Sequence, residues 1–185
     1  YKRQEYYKGI FTTLSSCASR QLEEVTFRRA TISVPELMAT AGKYFRKVYK
    51  GNKAHIDFKI QLLEGRITGD WNQLRFLLEN LIDEACSVTL DGAVCLSARE
   101  DGEFIRFLFT DMRREKTREE LNQLFYPDLS RMTAGEKGEL YGTEYLVCKQ
   151  IIRDHDEFAG RRGCRINAEP GKEGGFTIYF TLPKK

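Results

Sequence analysis

The sequence predicts an α+β protein, a two-layer α/β sandwich whose mixed, mostly antiparallel sheet carries helices on one face. Three observations lead there. Strand pairs alternate with single helices along the chain, which suits two packed layers rather than a doubly wound fold. Hydrophobic spacing switches between period two and period 3.6 from segment to segment. Finally, 185 residues at 41% hydrophobic and 31% charged give one domain enough apolar material for a core.

The elements follow in order. In Tyr6 to Val25, residues Ile10, Leu14, Cys17 or Ala18, Leu22 and Val25 recur at helical spacing as one narrow stripe, the kind that seeks a partner helix. Ala30 to Val34 reads as a short strand. Ser33-Val34-Pro35-Glu36 resembles a capping box with proline in the first turn, opening a helix to about Tyr49 that Gly51-Asn52 breaks. His55 to Leu63 alternates Ile56, Phe58, Ile60 and Leu62, a half-buried strand, and Gly65 to Thr68 is short enough for a second. Asp70 is placed to cap a helix whose broad apolar face holds Leu74, Leu77, Leu78, Leu81, Ile82 and Ala85. Strands Ala93 to Ala98 and Phe104 to Thr110 flank the turn Glu100 to Glu103. From Asp111 to Glu139 the chain is charged, a long connection holding one helix, Thr117 to Phe125. A helix from Gly142 to about His155 and two closing strands, Cys164 to Ala168 and Phe176 to Leu182, complete the order.

Bulk properties exclude several classes. A net charge of +3 argues neither for nucleic acid nor for a membrane surface. The longest apolar runs fall far short of a membrane span, and the polar opening carries no secretory signal. Five scattered cysteines without CxxC spacing, and two histidines, read as reduced thiols rather than a zinc or disulfide framework. The first residue is Tyr1 rather than Met, so the sequence is expected to be part of a longer protein.

Three separated stretches carry a family resemblance. Leu74-Arg75-Phe76-Leu77-Leu78-Glu79-Asn80-Leu81-Ile82-Asp83-Glu84-Ala85 resembles the N box of histidine-kinase ATPase domains. Tyr145 to His155 resembles the helix after their second glycine box, and Arg165 to Thr177 their final hairpin. The likeness runs over about residues 30 to 183 and keeps the order of elements. It identifies the Bergerat fold of the gyrase, chaperone, histidine-kinase and MutL ATPases. The resemblance implies two parts: residues 1–29 as a linker helix, the tail of a dimerisation and phosphoacceptor region, and residues 30–185 as the ATPase domain.

The same resemblance assigns a nucleotide site. Asp111, closing its strand as the first residue of the D-x-G-x-G box, is expected to accept from the adenine amino group. Asn80 and Glu84 share a helix face and are the expected Mg²⁺ ligands, Glu84 standing where the family usually has asparagine. Gly142 and Thr143, opening the following helix, are expected to meet phosphate with free backbone amides. The chain also departs from the pattern. Asp111-Met112-Arg113-Arg114-Glu115 has side chains where the box has glycines, Leu140 and Glu144 replace two glycines of the second box, and Ser87 replaces a usual lysine. The charged run from Arg113 to Lys116 reads by default as a solvated loop, and His155 is expected to be structural rather than phosphorylated.

Two readings result. One is the catalytic, ATP-binding domain of a sensor histidine kinase in two-component signalling, using ATP and Mg²⁺ to phosphorylate a histidine on upstream phosphoacceptor helices. The other is a non-catalytic pseudo-ATPase module that docks signalling partners such as a response-regulator domain. A DNA-linked ATPase of the gyrase or MutL branch fits less well, because the preceding helix is kinase-like. Both leading readings imply a cytoplasmic location, with no nucleic-acid partner and no direct membrane contact by this fragment.

Overall fold

The computed structural model describes residues 26–126 and 143–185. It has the expected two layers. Strand β1 (Ala30–Ser33) leads into helix α1 (Val34–Tyr49), followed by β2 (Ile56–Gln61), β3 (Arg66–Gly69) and α2 (Trp71–Cys86). Strands β4 (Gly92–Asp101) and β5 (Phe104–Asp111) form a hairpin. After them come the short helix α3 (Arg118–Gln123), helix α4 (Thr143–Phe158) and the hairpin β6 (Ile166–Pro170) and β7 (Phe176–Pro183).

The main sheet has the order β2-β4-β5-β7-β6, parallel between β2 and β4 and antiparallel elsewhere. Nothing in their residue pattern separates β1 and β3 from it, yet they stand apart. These four-residue strands form their own antiparallel ribbon, joined among the described residues to the end of the main sheet by a bridge from Ile67 to Lys184. Along β5, Ile105, Phe107, Phe109 and Asp111 are buried while the residues between them are partly exposed, so one face of the sheet meets the helices. There Phe107 stacks on Phe180 at 5.0 Å, and Leu74, Leu77, Leu78, Leu81 and Ile82 of α2 close the core.

Local signals in the sequence explain the helix starts. Ser33 accepts from the Glu36 N–H (3.3 Å) with proline in the first turn of α1, and Thr117 and Glu120 form a complete capping box on α3. The predicted continuation of α3 to Phe125 ends instead at Gln123, and Leu124 and Phe125 turn inward to be buried.

The expected linker helix over residues 1–29 lies outside the described residues up to residue 25. Residues 26–29 are irregular rather than helical, because side chains near the start of α2 hold them. The Arg28 N–H donates to Asp70 Oδ2 (2.9 Å), and the Phe27 ring meets the His155 ring edge-on at 4.8 Å. Asp70 also caps α2 through the Gln73 N–H (3.1 Å), and its own N–H donates to Nε2 of the fully buried His155 (3.0 Å). His155 Nδ1 lies 2.8 Å from the Ile151 carbonyl, so the ring is neutral, donating at Nδ1 and accepting at Nε2. This histidine pins the end of α4 to the start of α2. His155→Ala should therefore cost about 2–3 kcal/mol, leaving the buried Asp70 N–H without its acceptor and a cavity where the ring packed, with the shift read from the urea midpoint. A change within about 0.5 kcal/mol would contradict that role. His55, by contrast, is exposed just ahead of β2.

Candidate functional site

The alternation that buries one face of β5 also carries Asp111, its last residue, inward, where it is 1% exposed. A carboxylate at that depth requires partners. Four N–H donors hydrogen-bond to it, all from the next three residues. Oδ1 accepts from the Arg113 backbone N–H (3.0 Å) and Nε (2.9 Å). Oδ2 accepts from Arg113 Nη2 (2.8 Å) and from Arg114 Nε (3.0 Å), and Arg114 Nη2 adds an ion-pair contact at 2.9 Å. The backbone contact two residues on is an Asx turn, which bends the chain so that both guanidinium groups fold back over the carboxylate. Burial alone would raise the Asp111 pKa, but hydrogen bonding from Arg113 and the Arg114 charge outweigh it and hold the group below the usual carboxylate range.

Arg113 spends its remaining donors on the C-terminal end of α2. Nη1 reaches the carbonyls of Val88 (3.2 Å) and Leu90 (3.0 Å), and Nη2 that of Ala85 (2.6 Å). A cation there complements the negative end of the helix. The side chain is 1% exposed, and its stem crosses Gly92 so closely that a Cβ at that residue would lie 2.8 Å from Arg113 Cγ. Gly92 has φ +137°, a backbone that other side chains rarely adopt, so the chain is shaped to admit this arginine.

Arg114 forms the second pair. Its Nη1 and Nη2 each lie 2.7 Å from one oxygen of Glu84, a fork-to-fork contact, while its guanidinium sits 5.2 Å from the Phe176 ring centre. Burial would lower the Arg114 pKa, yet the Glu84 hydrogen bonds and charge raise it above its ordinary value. Beside them the buried Tyr145 packs edge-on against Phe125 at 5.9 Å. Burial, with the Glu84 charge close by, pushes its phenol well above the ordinary range. Glu115 closes the turn by accepting from the Gly175 N–H (3.0 Å). Two arginines thus face two carboxylates, a neutral and internally satisfied cluster.

The structure brings together Asp111 and Glu84, joined by Arg114. Asn80 stays on the surface of α2, where its amide donates to the Phe76 carbonyl (2.7 Å). Thr143 opens α4, its side chain outside the description, and Gly142 lies outside the described residues. The expected solvated loop at Arg113 and Arg114 is corrected: their side chains are 1% and 10% exposed, because buried carboxylates and the carbonyls at the end of α2 draw them inward. Glu84, at 5% exposure, is likewise no solvated helix residue. Sequence reasoning gave Arg114 no role. The available signal was two adjacent arginines following a carboxylate that strand alternation already placed indoors.

A nucleotide and its metal fit this arrangement poorly. An adenine amino group needs a free lone pair on Asp111, and Mg²⁺ needs free oxygens. Here Asp111 accepts four donors and both Glu84 oxygens face one guanidinium. Among the described residues no three His, Cys, Asp or Glu side chains cluster as a metal site would require, and no helix is long and apolar enough to cross a membrane.

Fold and motif positions define an ATPase domain of the histidine-kinase type. The model of the family described as "Histidine kinase-, DNA gyrase B-, and HSP90-like ATPase" matches residues 69–185, and the chain belongs to that family. Among curated proteins it resembles the adaptive-response sensory kinase SasA of Thermosynechococcus vestitus, 26% identical over 176 residues. That match covers 94% of this chain and 44% of the relative, so the chain spans less than half of that protein's length. Among solved structures, the catalytic domain of histidine kinase ThkA superposes with a TM-score of 0.64 at 19% identity, over 85% of this chain and 98% of that one. Histidine kinase AdeS of Acinetobacter baumannii gives 0.69 at 12% identity, covering 100% of this chain and 81% of the other. ThkA in complex with the response regulator TrrA gives 0.73 at 18% identity, over 98% and 49%. At these identities the likeness concerns the fold.

Proposed function

We propose that this chain is the ATPase-type domain of a two-component sensor kinase in which two arginines close the nucleotide site, leaving a pseudo-ATPase that acts by docking. The observation that carries the reading is the Asp111 carboxylate, which accepts four N–H donors from Arg113 and Arg114 and pairs with both guanidinium charges. The residue expected to read adenine is instead the anchor of an internal ion-pair cluster, and Glu84, expected to hold Mg²⁺, belongs to the same cluster. Retention of the whole fold around a closed site supports a role as a folded surface for signalling partners. One structural neighbour is a histidine kinase with its response regulator, which favours a response-regulator domain and the upstream phosphoacceptor helices as those partners. A cytosolic location, as part of a longer sensor protein, accords with this role.

Titration calorimetry with AMPPNP, with and without Mg²⁺, tests the closed site. The expected result is no saturable heat at micromolar nucleotide. Micromolar binding that disappears in Asp111→Asn would establish a working site and overturn the proposal.

A further inference from the structure

A second feature lies at the opposite end of the sheet. Strand pairing places Asp111 beside Phe176 at one end of β5 and β7, and Phe104 beside Pro183 at the other, seven residues or about 24 Å away. Past Pro183, a cleft of about 470 Å³ opens between the β1–β3 ribbon, the loop after α4 and the end of the chain. Four cationic side chains from three separate segments line it: Arg29, Arg161, Lys184 and Lys185. Thr31 and Thr68, paired across the ribbon, add hydroxyls, and among the described residues the lining includes no carboxylate side chain and no aromatic ring.

The cations are only partly neutralised. Arg161 and Lys184 reach Glu103 (3.7 Å) and Glu100 (3.3 Å), both highly exposed carboxylates. Arg29 and Lys185 have no carboxylate partner among the described residues. Arg29 is also seated: a Cβ on Gly160, whose φ is +94°, would come within 2.7 Å of Arg29 Nη1. The glycine therefore allows this guanidinium to lie against the loop backbone at the cleft wall.

We infer that this cleft binds a small anion carrying adjacent phosphate groups. Planar guanidinium forks take phosphate oxygens in pairs, lysines add point charge, and hydroxyls donate further hydrogen bonds. Without an aromatic ring to stack a base, recognition rests on the phosphates themselves. The site is independent of the closed one around Asp111, and its ligand needs neither Asp111 nor Glu84.

The test is calorimetry of the full chain with pyrophosphate at low ionic strength, with sulfate as control, on wild type and on the double variant Arg29→Gln, Arg161→Gln. The expected result is one site with Kd on the order of 0.1 mM. Affinity should fall about tenfold in the double variant, as expected for losing two partly exposed cations, with its thermal midpoint unchanged. Backbone amide shifts centred on Gly160 and Lys184 would confirm the place. Absence of pyrophosphate binding, equal binding by the double variant, or an identical response to sulfate would each overturn the inference.

Discussion

Alanine in place of Arg113 is expected to destabilise the domain by about 3–5 kcal/mol, the range for removing one partner of a buried ion pair. The substitution removes two side-chain donors from Asp111 and strips hydrogen bonds from the carbonyls of Ala85, Val88 and Leu90. Gly92 cannot fill the space vacated by the guanidinium, and Asp111 is left with a backbone N–H and Arg114 alone. Urea unfolding of variant and wild type measures the difference. A loss below about 0.5 kcal/mol would show a guanidinium at the surface, making no structural contribution. Arg114→Ala should cost less, because its side chain is 10% exposed and water can reach part of the site it leaves.

Asp111→Asn should be nearly as costly near neutral pH, about 3 kcal/mol, since it removes the carboxylate that Arg113 pairs with and leaves Arg114 paired with Glu84 alone. Its effect has a pH signature with a definite sign. The folded-state pKa of Asp111 is depressed, so its contribution is fully present above the unfolded value, about 3.9, and is lost as pH falls toward the folded pKa. The stability gap between wild type and Asp111→Asn should be flat from neutral pH to about pH 5 and shrink below about pH 4. A gap that stayed constant through that acid range would mean that Asp111 carries no depressed pKa. Glu84 pairs with Arg114 in the same cluster, so Glu84→Gln is a necessary companion measurement.

Much of the fold was legible because its signals are periodic and local. Alternation in Phe104 to Thr110 and the leucine spacing of Leu74 to Ala85 each commit a whole segment to one face, and Ser33, Asp70 and Thr117 mark helix starts through a single side chain. The separate β1–β3 ribbon was not legible, because strands of four residues carry too little pattern to choose their partners. At the site, strand alternation and helix spacing supplied the inward positions of Asp111 and Glu84, and the sequence showed no glycines after Asp111, but it did not foresee that Asn80 turns back to the Phe76 carbonyl. It did not supply what fills the space. Arg113 and Arg114 fall in a run of charge that composition alone assigns to solvent, and only the Asx turn at Asp111 folds them inward. The opening made by Gly92 is 21 residues away in sequence and adjacent only across the β4–β5 pairing. The structural role of His155 depended likewise on a partner, Asp70, that lies 85 residues away.

The most direct measurement of the closed site is an NMR spectrum of the arginine Nε–H groups, recorded with and without Mg²⁺ and AMPPNP. A guanidinium held by Asp111, Ala85, Val88 and Leu90 should give an Arg113 Nε–H resonance that exchanges slowly with water and is assigned by its loss in Arg113→Lys. Closure requires that resonance to persist, unshifted, at millimolar nucleotide. An Arg113 Nε–H that exchanges freely, or that moves saturably as micromolar nucleotide is added, would contradict it and return Asp111 to the adenine.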